Sequence, residues 1–405
     1  MLCALGAAGT AAGSSSVRFG IQDDAWLSFG PGTLTQRVDK LDRLGVDVVR
    51  VTLDWSQIEP ERGEYDWSRP DAVLDALRAR GISPLLTIWG APRWANRAPT
   101  PNWAPLQPAD IQRFARAAAE RYRFVRSWLV WNEPNQRRWL RPTSPSVYVK
   151  RILNPVYRGI KSANPRAKVA GGTTAPRGST GGVSPVEFIR GMAAAHARLD
   201  AYAHHPYPLS PTDTPFAGGC DHCDTITMST LERLLREVGR AFPRARVWLT
   251  EYAYQTNPPD RTLGVSPAEQ ARYIAEAALR VRQAPKVDLL IHYLYRDEPE
   301  LGRWQSGLET VRGRAKPAMR ATMLPLAQVS REETATRVWG QVRPGKGRQR
   351  YVLQQFRGGG WRAVGGVQTT SPRGYLDRTV LAGKGTKLRL WYPTERVAGV
   401  TLVVR

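Results

Sequence analysis

Val46-Asp47-Val48-Val49-Arg50-Val51-Thr52-Leu53 is a run of eight residues in which only three side chains are polar. Its β-branched content favours an extended strand, and so nearly continuous an apolar run suits a strand covered on both faces. Seven further short runs share this character: Val17 to Gln22, Ile82 to Ile88, Val125 to Trp131, Ala167 to Gly171, Leu199 to Ala203, Arg246 to Thr250 and Val287 to Leu294. Between them lie helical segments, and strands alternating with helices imply parallel strands joined by crossover connections.

Three of those helices open on a start signal with a mechanism. In Ser184-Pro185-Val186-Glu187, Ser229-Thr230-Leu231-Glu232 and Ser266-Pro267-Ala268-Glu269 a hydroxyl can accept from an orphan N–H while the acid three positions on reaches back. In the second, Leu231, Leu234, Leu235 and Val238 share one face, the pattern of a core helix. Eight strand–helix units between residues 17 and 327 predict an α/β fold, a (β/α)8 TIM barrel. An open doubly wound sheet is the rival, but Gly20-Ile21-Gln22-Asp23-Asp24 follows the first strand where a glycine-rich phosphate turn would be required.

Beyond about Lys316 to Leu326 the pattern changes. Arg350 to Phe356, Trp361 to Val364, Leu388 to Tyr392 and Val400 to Val404 are short alternating strands, and Gly358-Gly359-Gly360 and Pro344-Gly345-Lys346-Gly347 punctuate them as hairpin turns. Residues 331–405 are therefore expected to form a small antiparallel all-β C-terminal domain, sandwich-like. It carries fifteen basic and four acidic side chains in a chain of 405 residues with net charge +24, a concentration that favours an anionic cell-wall or polysaccharide surface as partner. Its interleaved Trp361, Tyr375, Trp391 and Tyr392 fit the inside of a sandwich as readily as a stacking platform, so nucleic acid is not expected as a partner.

The first sixteen residues, a short apolar run followed by small residues, read as a signal-peptide remnant or a disordered tail. On the first reading the protein is secreted or cell-wall associated. Apart from Cys3, the cysteines are Cys220 and Cys223, a single C-x-x-C in a glycine-rich loop. One such pair is weak ground for zinc, whereas export would favour a Cys220–Cys223 disulfide that clips the loop. No metal and no cofactor are expected, and no run is long and apolar enough for a transmembrane segment.

Two strands end in glutamate. Trp128-Leu129-Val130-Trp131-Asn132-Glu133-Pro134-Asn135 closes the fourth, and Val247-Trp248-Leu249-Thr250-Glu251-Tyr252-Ala253 the seventh. Carboxyls on opposite walls of one barrel mouth are what glycosidic cleavage asks for: one protonates the departing oxygen while the other attacks or stabilises the anomeric carbon. From Val17 to about Ala327 the chain resembles glycoside hydrolases of clan A, the barrel families that include families 5 and 39. The resemblance implies Glu133 as general acid/base, Glu251 as nucleophile and retention of configuration. It further implies that Arg50 orients the nucleophile and favours its charged form, that Asn132 binds the sugar's 2-hydroxyl, and that His205 and Tyr207 line the site beside the acid/base and the nucleophile.

The segment Trp55 to Trp67 also resembles the clan's loop after strand two, its acids being structural. Trp55, Trp89, Trp94, Trp103, Trp139 and Trp304 fall at strand ends or loops where a ring can stack on a sugar. Two departures bear on sugar choice: Ile88-Trp89-Gly90 stands where many members have a histidine, and Tyr293 or Tyr295 replaces the usual tryptophan ending strand eight. Zinc-protease, serine-hydrolase and NTP-binding signatures are all missing. The expected function is an exported retaining glycoside hydrolase acting on an oligosaccharide or polysaccharide. The alternatives are a non-catalytic carbohydrate-binding or wall-anchoring barrel and a transglycosylase.

Overall fold

The computed structural model describes residues 17–220, 222–343 and 345–405. The expectations placed on residues 1–16, and the positions Asp221 and Pro344 within their turns, lie outside the described residues.

Eight parallel strands close into a barrel in sequence order: β1 (Arg18–Gln22), β2 (Val48–Asp54), β3 (Ser83–Trp89), β4 (Ser127–Val130), β5 (Lys168–Thr174), β6 (Ala201–His204), β7 (Arg246–Tyr252) and β8 (Val287–Tyr293). β8 pairs back onto β1, which removes the sheet edge. Each falls within a few residues of its apolar run, because a strand buried on both faces leaves an uninterrupted signal. Val48, Leu85, Leu129, Ala170, Ala201, Ala203, Trp248, Leu289 and Ile291 pack together as a cluster distinct from the main core. Gly20 belongs to this crowded region: a Cβ there would lie 2.3 Å from the carbonyl oxygen of Val48.

Strand periodicity then places the site. Two residues beyond Val48, Leu85, Trp248 and Ile291 on the same strand faces come Arg50, Thr87, Thr250 and Tyr293, one layer nearer the carboxyl ends. The helices pack outside, Ser184 and Ser266 accepting from the N–H groups of Glu187 and Glu269. The third start signal is displaced by one residue: Thr230 precedes the helix Leu231–Ala241 with no side-chain cap, and the Ser229 hydroxyl donates to Asp213 instead. No helix among the described residues is long and apolar enough to cross a membrane.

Downstream, β9 (Leu326–Arg331), β10 (Ala335–Gln341) and β14 (Tyr375–Leu381) form one antiparallel sheet. The other contains β11 (Arg350–Arg357), β12 (Gly360–Ala363), β15 (Lys387–Tyr392) and β16 (Val397–Ala398), with β13 (Gln368–Thr369) on β11 and β17 (Leu402–Val403) on β15. The run Val400 to Val404 thus contributes only a two-residue strand. Gly358 and Gly359, at φ +54° and +76°, turn the β11–β12 hairpin, where both central residues need the left-handed region. Val338, Leu353, Leu376, Leu388 and Leu390 belong to the core of these two sheets. The β domain docks on the amino-terminal end of the barrel: the Tyr375 hydroxyl donates to the Val17 carbonyl (3.3 Å), and the Arg343 guanidinium lies over the Phe19 ring.

Candidate active site

β4 does not end smoothly. Trp131 and Glu133 sit at φ +70° and +38°, left-handed conformations that cost non-glycine residues about 1–3 kcal/mol each and persist where surroundings dictate them. Here the Trp131 N–H is held by the Ile88 carbonyl (2.8 Å) and the Glu133 N–H by the Thr173 carbonyl (3.0 Å). The Trp131 indole donates to the Trp139 carbonyl (2.7 Å). Across the mouth, the β7–β8 pairing shifts register between Leu249 and Tyr252, the stretch that carries Glu251.

Arg50 joins the two walls. Its guanidinium donates to Glu251 Oε1 at 2.6 Å, the Thr250 carbonyl at 3.1 Å, Thr87 Oγ1 at 2.9 Å and Asn132 Oδ1 at 2.9 Å. With Asn132 Oδ1 so engaged, the amide nitrogen is the group left for a ligand. Tyr207, whose phenol burial pushes well above its usual range, donates to the other Glu251 oxygen at 3.0 Å. His205 Nε2 faces the Arg50 guanidinium at 3.3 Å. Because a guanidinium only donates, Nε2 must accept and Nδ1 carries the proton, which it gives to Glu133 Oε1 at 2.9 Å. Burial moves His205 down to about 3, so the ring is neutral.

Glu133 differs from its partner in surroundings. Burial pushes its carboxyl up to about 7, outweighing the opposite pull of Arg50, Trp139 and Arg138. Since Oε1 already accepts from His205, the proton of the acid form belongs on Oε2. Donor atoms of Glu133, His205 and Glu251 all lie within 4.8 Å of one another. Such a trio could hold a metal by ligand type, but a cation there would face Arg50, whose charge already answers Glu251.

A cleft of about 810 Å³ opens above these groups, and its lining residues fall between positions 22 and 304. Trp89, Trp139, Tyr207, Tyr293 and Trp304 supply its aromatic surface; Tyr207 and Trp304 have ring centroids 4.7 Å apart. Trp55 is not among them. It begins a short helical turn capped by Asp54, is fully buried against Trp94 and Phe114, and donates to Glu59 at 2.6 Å. Tyr295 is likewise displaced. β8 ends at Tyr293, the Tyr295 N–H turns to the Asp23 carboxylate, and its ring stacks on Trp26 at 3.8 Å with the hydroxyl on Glu309. Tyr293 therefore lines the cleft alone. His204 is a core histidine bound to Thr174 and the Ile226 carbonyl, and Trp94 and Trp103 lie outside the lining. Cys220 and Cys223 are disulfide-bonded.

Several lining residues escaped the sequence reading. Gln22 Nε2 donates to the Asp24 carboxylate (3.1 Å), which fixes the amide and leaves Oε1 buried without a partner among the described residues. Asp24 in turn accepts from the Thr52 N–H and hydroxyl, both at 2.8 Å. The available signal was the Gln-Asp-Asp tail of the first strand. Gln136, Arg138 and Arg177 also line the cleft.

Comparison with known proteins agrees with this architecture. The Glyco_hydro_42 family model, described as beta-galactosidase, matches residues 25–140. A search of curated proteins finds no match. Among solved structures, a family 39 glycoside hydrolase from the gut symbiont Bacteroides cellulosilyticus WH2 superposes with TM-score 0.62 at 19% identity, covering 91% of this chain and 81% of that one. A monomeric beta-xylosidase from Caulobacter crescentus gives 0.60 at 18% identity, covering 92% and 96%. A family 5 enzyme of Streptomyces cattleya, solved in complex with GlcNAc, gives 0.54 at 19% identity, covering 76% and 79%. The chain thus resembles clan A glycoside hydrolases in its barrel fold and over residues 25–140.

Proposed function

We propose that the protein is an exported retaining glycoside hydrolase working by double displacement. A Glu251 oxygen attacks the anomeric carbon as the glycosidic C–O bond breaks, and Glu133 gives its proton to the departing oxygen. Glu133, now a carboxylate, takes a proton from water; that water attacks the anomeric carbon and releases Glu251. Asn132 is placed to donate to the 2-hydroxyl. The observation that carries the reading is the carboxylate pair at one barrel mouth: an oxygen of Glu133 and one of Glu251 lie within 4.8 Å of each other, and His205 Nδ1 faces both residues at 2.9 and 3.6 Å. Glu251 faces a guanidinium while Glu133 is pushed up to about 7, which suits different roles.

Export is supported by the bonded Cys220–Cys223 pair, which suits an oxidising compartment. On the β domain, Phe356 and Trp361 face each other across β11 and β12, with Lys387 and Arg389 over their rings. This supports attachment to an anionic cell wall or polysaccharide, which rising salt should reverse. The test of function is reducing-end release from wall, plant and exopolysaccharide substrates by the wild type and by Glu251→Gln. Release by the wild type alone is expected; equal release by the variant would remove Glu251 as nucleophile. The configuration of the first-formed product decides retention.

A further inference from the structure

The charges lining the cleft are not evenly answered. Arg50 is matched by Glu251, and Arg303 is bound to Glu300 at 3.0 Å and Glu298 at 3.6 Å. Asp24 is held on the wall of β1 and β2 by Thr52 and Gln22. Arg138 and Arg177, both exposed, line the same cavity, and among the described residues neither makes an ion pair with a carboxylate, Glu133 being paired with His205. Both stand on the side of Glu133. Arg138 follows it by five residues and is near enough to pull on its ionisation; Arg177 comes from the loop after the neighbouring strand, β5.

The loop that presents Arg177 is built into the site. Asn135, fully buried, donates through Nδ2 to the carbonyls of Val183 (3.0 Å), Ala175 (3.4 Å) and Arg177 (3.4 Å), and its Oδ1 accepts from the Ala175 N–H at 2.8 Å. Gln136 donates to the same Arg177 carbonyl and accepts from the Ser179 hydroxyl. Two side chains that directly follow Glu133 and Pro134 therefore fix the backbone of Arg177, whose side chain is exposed where it lines the cleft. Arg138 lies over the Trp139 ring, 5.5 Å from its centroid, and that ring offers a face on which a sugar can stack.

Two guanidinium groups that line one cleft without an ion pair attract an anion, and the planar fork of arginine matches a carboxylate. Glu133 is the group that protonates the departing oxygen, so charge beside it acts on the leaving group. Resting on the hydrolase reading above, we propose that the leaving-group side of the cleft receives an acidic sugar, a uronic acid residue whose carboxylate is held by Arg138 and Arg177.

The test is calorimetric binding of short oligosaccharides to the full chain carrying Glu251→Gln, which is not expected to consume them. Three matched sets serve as probes: uronate-containing di- and trisaccharides, the same compounds with the carboxylate reduced to a hydroxymethyl group, and sulfated counterparts of the neutral set. At least tenfold tighter binding of the uronates than of their reduced forms is expected. Adding Arg138→Ala and Arg177→Ala should bring that ratio near one. Arg166→Ala with Arg244→Ala removes the same charge from exposed loops that precede β5 and β7, and should leave the ratio intact. Equal affinity for acid and reduced forms, no binding of any uronate, or a ratio untouched by the cleft pair would overturn the proposal. Tighter binding of the sulfated set would overturn the choice of carboxylate. Wild-type cleavage of the same compounds reads the hydrolase separately: arginine-dependent acid selectivity without cleavage upholds this site and removes the hydrolase, whereas cleavage with no acid preference does the reverse.

Discussion

At the mouth of the barrel the guanidinium of Arg50, 1% exposed, meets a carboxylate, a carbonyl, a hydroxyl and an amide oxygen. At the opposite end Arg343, 6% exposed, lies 3.9 Å from the centroid of the Phe19 ring and donates to Gln341 Oε1 at 3.0 Å, and burial pushes it down to about 10. Both are buried cations in one fold. The first is surrounded by acceptors converging from β3, β7 and the end of β4; the second is held by an aromatic face and a single amide. A charge beside the proposed nucleophile is met by preorganised dipoles, whereas a charge that joins the barrel to the β sheets is tolerated through packing.

Substitutions at Arg50 should have the largest effect. Arg50→Met leaves Glu251 buried without its counter-ion, a change that typically costs about 3–5 kcal/mol, and removes the donor that orients Asn132. Chemical denaturation and kcat measured together should show both losses. A variant with wild-type kcat would break the comparison at its active end.

Next in size is the acid. Glu133→Gln should lower kcat/KM by about 10²–10⁴ on substrates with poor leaving groups and far less on activated aryl glycosides. On the proposed mechanism the form of Glu133 that acts in the first step is protonated. Its carboxyl is raised to about 7, so kcat/KM should hold below that pH and fall as pH rises through it. In Glu133→Gln that alkaline limb should disappear; its persistence would assign it to another group.

Much of this was legible in the sequence, for reasons that differ by residue. The eight barrel strands left continuous apolar runs because both of their faces are covered. Glu133 and Glu251 were legible because each lies at a strand's carboxyl end, and the barrel brings such ends together. Trp55 and Tyr295 misled because an aromatic beside a strand end carries no mark of direction. A helical turn capped by Asp54 sends one ring into the core, and the Asp23 carboxylate draws the other's backbone away. Asn135 and Gln136 act by reaching across to the loop after β5, and Gln22 by its place beside Asp24; no spacing along the chain encodes such contacts.

The two tryptophans that the sequence treated alike now separate, and they test that lesson at a smaller scale. Trp55→Ala should cost about 3–5 kcal/mol in stability, because it empties a fully buried volume against Phe114. Trp304→Ala should melt close to the wild type and raise KM, since its ring lines the cleft beside Tyr207 and Tyr293. Similar melting losses in both would return Trp304 to the core.

The smallest effect is expected where the comparison began. Replacing a buried charge that packing holds, rather than one that a carboxylate answers, is often neutral or stabilising, because the cost of dehydrating the ion is removed along with its contacts. Asp47, the acid whose field reaches Arg343, is itself hydrogen-bonded by the Phe19 N–H at 2.9 Å and keeps that bond. Arg343→Met retains apolar contact with Phe19, so its unfolding free energy should stay within about 1 kcal/mol of the wild type, with kcat unchanged. A loss approaching that of Arg50→Met would mean that the barrel's floor also depends on a paired charge, and the contrast between its two ends would then rest on the acceptors around Arg50 alone.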